Sequence, residues 1–372
     1  MAKPHLSGAK EQHYVPRFYL AGFAENNSLS CLDRRSGKLA SRTPEHTARI
    51  PNLYTFQDNQ DRRRYDIEAM FGHYENIAGH IILKLAARQS IDLNEREQMT
   101  AFIAFAALRT PAAIEEAKVV HAGFTRARAQ TELSDEERAL SWLRKMHGPD
   151  ADETSLREEA ASVSEMVRDG SYTLEVDNEF AVGKSLRNFE AVATSIFARD
   201  WMVLYAPEAS EGFLTTDHPV VLTTRSSALR REPLGYGSPH AQVLFPLAHN
   251  CALVISGDLG RFGRTDIKLE DLSRFNRTMA TYCHRYLFGR SGSHLQSIAD
   301  SIQLTQKRWK SNYSVGMRQG DGRRYTDVFV MRNGEPPHEQ GLNQPINRNK
   351  LCPNEQQDAS IAAVTGPTTG SM

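Results

Sequence analysis

Asp200-Trp201-Met202-Val203-Leu204-Tyr205 marks the point where the chain changes its period. Before it, apolar residues recur at three- and four-residue steps, the spacing of amphipathic helices. After it come short β-branched or aromatic runs bounded by Pro, Gly and Asp: Gly212 to Thr215, Val220 to Thr224, Gln242 to Leu244 and Cys251 to Ser256. Such runs are the mark of strands. The expected class is therefore α+β, with a mainly helical N-terminal two-thirds and a small, mostly antiparallel sheet.

Upstream, Ile67, Phe71, Tyr74, Ile77, Ile81 and Leu85 form one apolar stripe, which predicts a helix from Tyr65 to about Arg88. A second helix is expected to open at Asn94, with Glu97 at the capping-box spacing, and to break at Arg109-Thr110-Pro111. Ser134 and Glu137 repeat that spacing. Helices are also expected over Ser155 to Arg168 and Glu179 to Ala198. Downstream, Leu269 to Leu287 and Ser293 to Trp309 read as helices and Thr326 to Met331 as a last strand.

Near the N-terminus, Pro16 suits a helix start, with Phe18, Tyr19 and Phe23 as its apolar face. Ser28 to Asp33 and Lys38 to Thr43 read as a hairpin, and Asn52 to Phe56 as a short extended stretch. The expected layout is one domain over residues 1–335. Its helical part is about 60–199 and its sheet-rich part about 200–335, joined by the hairpin 28–43. Residues 336–372, rich in Pro, Asn and Gln, read as a disordered tail.

Composition narrows the function classes. Of 372 residues, 45 are Lys or Arg and 45 are Asp or Glu, so no global basic field draws in nucleic acid. A local patch would need clusters such as Arg62-Arg63-Arg64 or Arg230-Arg231, which more simply read as solvated loops. Cys31, Cys251, Cys283 and Cys352 form no C-x-x-C pair, which argues against zinc-ribbon and thioredoxin-like sites. No apolar run reaches the about 20 residues of a membrane span. A cytoplasmic location with no membrane partner is the expectation. P-loop, Rossmann, zincin and α/β-hydrolase signatures are missing.

Several landmarks occur in a fixed order. The first is Gln12-His13-Tyr14-Val15-Pro16-Arg17-Phe18-Tyr19-Leu20 with Phe23, followed by Asn52, Tyr54 and Phe56. Next come Glu68 and Glu75, then Phe102 with Arg109-Thr110-Pro111. Trp201, Thr215-Thr216-Asp217-His218-Pro219, Pro246-Leu247 and Asn276 complete the set. In these landmarks the chain, over roughly residues 12–290, resembles domain of unknown function family 4238. His218 stands where that family more usually has Asn. The resemblance implies a shared fold whose polar landmarks are consistent with a pocket.

His13, Asp217, His218, Asn276, Arg109 and Glu75 are the candidate catalytic residues. His13 precedes a helix start, where the helix dipole favours a neutral imidazole that can serve as base or ligand. Asp217 and His218 sit at a strand-to-loop corner and, with His13, make a candidate ligand set for a divalent metal. An Asx-turn at Asp217 is the plainer account. Glu68 and Glu75, seven apart, share a helix face and with Arg109 form either a structural ion pair or part of a catalytic site. The Arg109 fork suits phosphate or carboxylate.

Three functions are compatible with these residues. One is a hydrolase or nuclease acting on a phosphodiester or nucleotide through a His/Asp-centred site. A second is a binding or interaction protein in which the polar landmarks hold the fold together. The third rests on Arg277 and His284, whose spacing resembles the R-x4-6-H motif of HEPN ribonucleases and would put both on one face of a helix.

Overall fold

The computed structural model describes residues 6–224 and 234–304, with the backbone of 310–320 and 323–333. The chain opens with β1 (Glu11–His13), α1 (Arg17–Ala21), β2 (Leu29–Asp33), β3 (Leu39–Arg42), β4 (Arg49–Pro51), β5 (Phe56–Gln57) and β6 (Arg63–Arg64). A helical stretch follows: α2 (Asp66–Ala86), α3 (Leu93–Leu108), α4 (Pro111–Leu133), α5 (Glu136–His147), α6 (Glu153–Asp169), α7 (Asn178–Leu186) and α8 (Phe189–Phe197). Then come β7 (Asp200–Tyr205), β8 (Thr215–Thr216), β9 (Val221–Thr224), β10 (Ala241–Ala248), β11 (Cys251–Ser256) and β12 (Phe262–Asp266). The remainder is α9 (Leu269–Thr281), β13 (Tyr286–Gly289), α10 (Gly292–Ser301), β14 (Lys310–Gly320) and β15 (Arg323–Asn333). The fold is α+β.

Besides the two-stranded pairs β1-β4, β5-β6 and β14-β15, the described residues form two larger sheets in place of the one small sheet expected. One has the order β12-β7-β11-β10-β9, antiparallel except for the parallel pair β12–β7. The other, β3-β2-β13-β8, is antiparallel and joins the N-terminal hairpin to the C-terminal part of the chain. The first two residues of the joining strand β13, Tyr286 and Leu287, fall at the end of the stretch expected to be helical. The helix α9 stops at Thr281 because its apolar stripe, Leu272, Phe275 and Met279, ends there. Tyr286-Leu287-Phe288-Gly289 then pairs with β2 on one side and β8 on the other.

Local chemistry moved several helix ends. Asp92, not Asn94, caps α3: its side chain accepts from Glu95 N, and the Glu95 carboxylate accepts from Asp92 N. Asp135, not Ser134, caps α5, while Ser134 Oγ donates back to Gln130 O at the end of α4. The expected helix 179–198 divides into α7 and α8 at Arg187-Asn188. Asn188 is the N-cap of α8, with no side-chain cap bond. Asn52 to Phe56 is mostly turn, with Asn52 at φ 53°. The helix expected over Ser293 to Trp309 ends at Ser301 and gives way to a turn with Gln303 at φ 50°; residues 305–309, like the tail 336–372, lie outside the described residues. Thr326 to Met331 falls within β15, which pairs with β14.

Helix α3 is the centre of the core. Phe102 to Leu108 is buried without a break, as expected of a helix apolar on all sides. Phe102 packs on Phe18 of α1 and Phe245 of β10, with ring centroids 5.7 and 6.2 Å apart. Phe105 meets Phe71, Tyr74 and Phe189. The buried guanidinium of Arg96 fixes the start of the same helix by donating to the carbonyls of Gly260, Phe197 and Arg199. A smaller cluster, Ala139, Leu140, Leu143, Leu156 and Ala160, packs α5 on α6.

Candidate acid-base site

The N-terminal landmark folds as a short strand and then a helix. In β1, paired with β4, alternation turns Gln12 inward and leaves His13 half-buried. Gln12 is fully buried and uses both ends of its amide. Its Oε1 accepts from Tyr54 N at 2.7 Å and its Nε2 donates to Thr55 Oγ1 at 3.0 Å. His13 Nε2 lies 3.0 Å from the carbonyl of Glu45. A carbonyl only accepts, so Nε2 carries the proton and Nδ1 is left as the acceptor of a neutral ring. Burial, rather than a helix dipole, is what chiefly lowers the His13 pKa. The Glu45 carbonyl and Glu75 pull it up, and Arg49 and Arg109 push it down.

Helix α2 brings Glu68 and Glu75 to the same neighbourhood, and the C-terminal end of α3 brings Arg109. Arg109 Nη1 donates to Glu75 Oε1 at 2.7 Å. The arginine is 2% exposed and the Glu75 side chain 25%, so the pair reaches solvent from the glutamate side. Arg109 packs over the Phe71 ring, 4.8 Å from its centroid. Its Nε and Nη2 are buried and have no hydrogen-bond partner among the described residues. The planar fork is thus turned onto an aromatic face and one carboxylate. Tyr54 Oη donates to the Arg109 carbonyl at 2.6 Å and ties this helix end to the Asn52–Gln57 segment.

Glu68 is the most perturbed member. Its Oε2 is buried without a hydrogen-bond partner among the described residues. Burial raises its pKa to about 7, against the downward pull of Arg109 and with the upward push of Glu75. The structure therefore gathers His13, Glu68, Glu75 and Arg109 into one electrostatic group. It holds an imidazole whose pKa is lowered, a carboxyl that titrates near neutrality, and the ion pair of a second glutamate with a buried arginine.

Asp217, His218 and Asn276 have other partners. Asp217 Oδ1 accepts from His284 N at 2.9 Å and Oδ2 from Arg285 N at 2.7 Å. Burial raises its pKa to about 7, outweighing those backbone bonds. The carboxylate holds the turn between α9 and β13. His218 Nδ1 lies 2.8 Å from Thr110 Oγ1, so it touches the residue after Arg109 and the cap of α4. Asn276 Oδ1 accepts from Leu214 N, and its Nδ2 donates to Gly212 O and approaches His294 Nε2. Its bonds pin the segment leading into β8.

His13, Asp217 and His218 do not form the expected ligand set: no group of three or more His, Cys, Asp or Glu side chains among the described residues is placed to hold a metal ion. Each is instead engaged with backbone or a hydroxyl, as above. Arg277 and His284 do not share a helix face either. Arg277 is on α9, whereas His284 lies beyond its end, half-buried in the turn, with its pKa lowered to about 4 mainly by burial. Of the basic clusters, Arg62 pairs with Asp58 and Arg64 with Asp66, while Arg230-Arg231 lies outside the described residues. No described helix is long and apolar enough to cross a membrane.

Gln12 and Tyr54 stand among the landmarks but not among the candidate site residues, whereas Glu68 enters with Glu75 and Arg109. The signal for Glu68 was its spacing from Glu75. For Gln12 it was the strand alternation that turns it inward beside His13.

An α+β chain with a half-buried carboxyl, imidazole and arginine cluster is what the fold and site define. The chain belongs to the family described as "Protein of unknown function (DUF4238)", whose model matches residues 11–293. No curated protein and no solved structure matches it.

Proposed function

We propose that the His13–Glu68–Glu75–Arg109 group is an acid-base site and that the protein is a hydrolase of a phosphodiester or nucleotide. The observation that carries this reading is Glu68: a carboxyl raised to about 7, with an unbonded buried oxygen, beside a buried arginine. Titratable groups shifted toward neutrality by burial and charge cluster at functional sites. A general acid works best with a pKa near the working pH.

In this reading His13 Nδ1 takes a proton from water, because Glu45 holds the other nitrogen as a donor. The water oxygen bonds to phosphorus as the bond to the leaving oxygen breaks. Protonated Glu68 gives its proton to that oxygen. Arg109 acts through its charge in a low-dielectric setting, and Glu75 holds it in place. His218 supports the site by contacting Thr110 next to Arg109, while Asp217 and Asn276 fix turns of the chain.

A second reading is a non-catalytic binding protein with polar structural hubs. It is favoured by the way Asp217 and Asn276 spend their polar atoms on backbone groups. One comparison separates the two: His13→Ala and Glu68→Gln proteins, confirmed as folded by circular dichroism, assayed beside the wild type on simple and nucleotide phosphodiesters. Loss of hydrolysis in both supports the acid-base site. No hydrolysis by the wild type, or unchanged rates in both variants, supports the hubs.

A further inference from the structure

A cleft of about 320 Å³ opens between the Asn52–Gln57 segment with Arg63 on one side and the start of α7, Asp177 to Glu179, on the other. That volume is at the low end of the roughly 300–1,000 Å³ of small-molecule sites. None of these residues belongs to the acid-base group, but the cleft is physically joined to it. Tyr54, between Asn52 and Thr55, donates to the Arg109 carbonyl, and Gln12 beside His13 holds Tyr54 N and Thr55 Oγ1.

The cleft wall has a definite chemistry. Asn52, Gln57 and Asn178 bring three carboxamides, each with a donor and an acceptor end. Phe56 brings an aromatic ring, steadied by the Arg64 guanidinium 5.8 Å from its centroid. Charge on the wall is one positive group, Arg63, against two negative ones, Asp177 and Glu179, of which Asp177 already accepts from Phe180 N as the cap of α7. The wall therefore offers no concentrated field for a free anion or cation.

Asn52 supplies a second, independent observation. Asn52 lines this wall, and its Oδ1 is closed off from solvent with no hydrogen-bond partner among the described residues. Its backbone is in the left-handed region at φ 53°, tied down by Asn52 N donating to Lys10 O. A buried acceptor left unbonded costs free energy, which turning the amide toward a ligand donor in the cleft recovers.

We propose that this cleft binds a nucleobase and is the recognition subsite for a nucleotide or nucleic-acid end processed at the acid-base group. A base edge alternates donors and acceptors, which carboxamides match, and its face stacks on an aromatic ring. The substrate's role rests on the hydrolase reading; binding of the base does not.

The test is calorimetric titration of the full chain with adenosine, guanosine and uridine, none of which carries phosphate, and with ribose, glucose and inorganic phosphate. At least one nucleoside is expected to bind at about 1 mM or tighter. Phe56→Leu removes the stacking face. Asn52→Gly removes the amide at a backbone angle that glycine accepts. Each is expected to weaken nucleoside binding about tenfold or more, equivalent to about 1.4 kcal/mol. Glu68→Gln is expected to keep that binding. Failure of all three nucleosides to bind overturns the proposal. So does equal binding of ribose or glucose with the same dependence on Phe56 and Asn52, which would make the cleft a carbohydrate site. Hydrolysis of a base-free phosphodiester without nucleoside binding would remove the cleft proposal alone. Nucleoside binding without any hydrolysis would remove the hydrolase reading alone.

Discussion

Glu75 and Arg109 form an ion pair at 2.7 Å in which the arginine is buried and the glutamate is its one hydrogen-bonding carboxylate among the described residues. Removing the carboxylate leaves the guanidinium charge with the Phe71 ring and no paired anion. Breaking such a pair from one side costs more than the pair itself contributes. Glu75→Ala is expected to destabilise the protein by about 2–4 kcal/mol, less than for a fully buried pair because Glu75 is partly exposed. Urea unfolding of both proteins measures it. A loss below about 0.5 kcal/mol, typical of surface pairs, would show that solvent replaces Glu75.

Glu68 gives a pH dependence of known sign. Its folded pKa is about 7, above the ordinary carboxyl value of 4.5, so the folded state holds more protons between those limits. Stability contributed through Glu68 therefore falls as pH rises from about 4.5 to about 7 and is level above that. Asp217 has the same sign, while the lowered pKa of His13 has the opposite one, so only a difference isolates Glu68. The stability of wild type minus that of Glu68→Gln is expected to fall across this window by on the order of 1–2 kcal/mol, after allowance for partial exposure. A difference that is flat with pH would place Glu68 at its ordinary pKa.

Gln12 bridges the Tyr54 backbone N–H and the Thr55 hydroxyl, 42 and 43 residues along the chain. Its replacement by Leu keeps the bulk but leaves Tyr54 N without its acceptor. The expected cost is about 1–3 kcal/mol, with faster hydrogen exchange at Tyr54. Unchanged exchange there would mean that another group accepts the bond.

Asn276 is expected to matter for stability. Asn276→Ala removes the acceptor for Leu214 N and the donor to Gly212 O, both buried. A loss of about 2–4 kcal/mol is expected from two unmet backbone groups in thermal or urea unfolding. A loss within about 0.5 kcal/mol, the usual range for a surface change, would contradict the hub role.

Elements carried by local periodicity were the legible ones. The apolar stripe of α2 and the break after α3 at Arg109-Thr110-Pro111 stand where the pattern puts them, whereas α4, Pro111–Leu133, is not among the expected helices. What escaped was non-local. The strand β13 is four residues long and follows α9 closely, so its apolar residues extended the helical pattern until pairing with β2 and β8 claimed them. The strand β12, Phe-Gly-Arg-Thr-Asp, is an exposed parallel edge with no alternation to read. In the site, Glu68, Glu75 and Arg109 were linked by spacing and charge. The partners of Asp217 were not, because the N–H groups it accepts from are 67 and 68 residues away.

The pH–rate profile of phosphodiester hydrolysis tests the acid-base site most directly, measured for the wild type and for a folded Glu68→Gln protein. The account gives a bell for the wild type. Its rising limb lies below 6.5, where His13 loses its proton, and its falling limb is near 7, where Glu68 loses its own. In Glu68→Gln the rate drops by about 100-fold or more and the falling limb disappears. A wild-type protein that hydrolyses no phosphodiester, or a variant with the wild-type rate and profile, would contradict it.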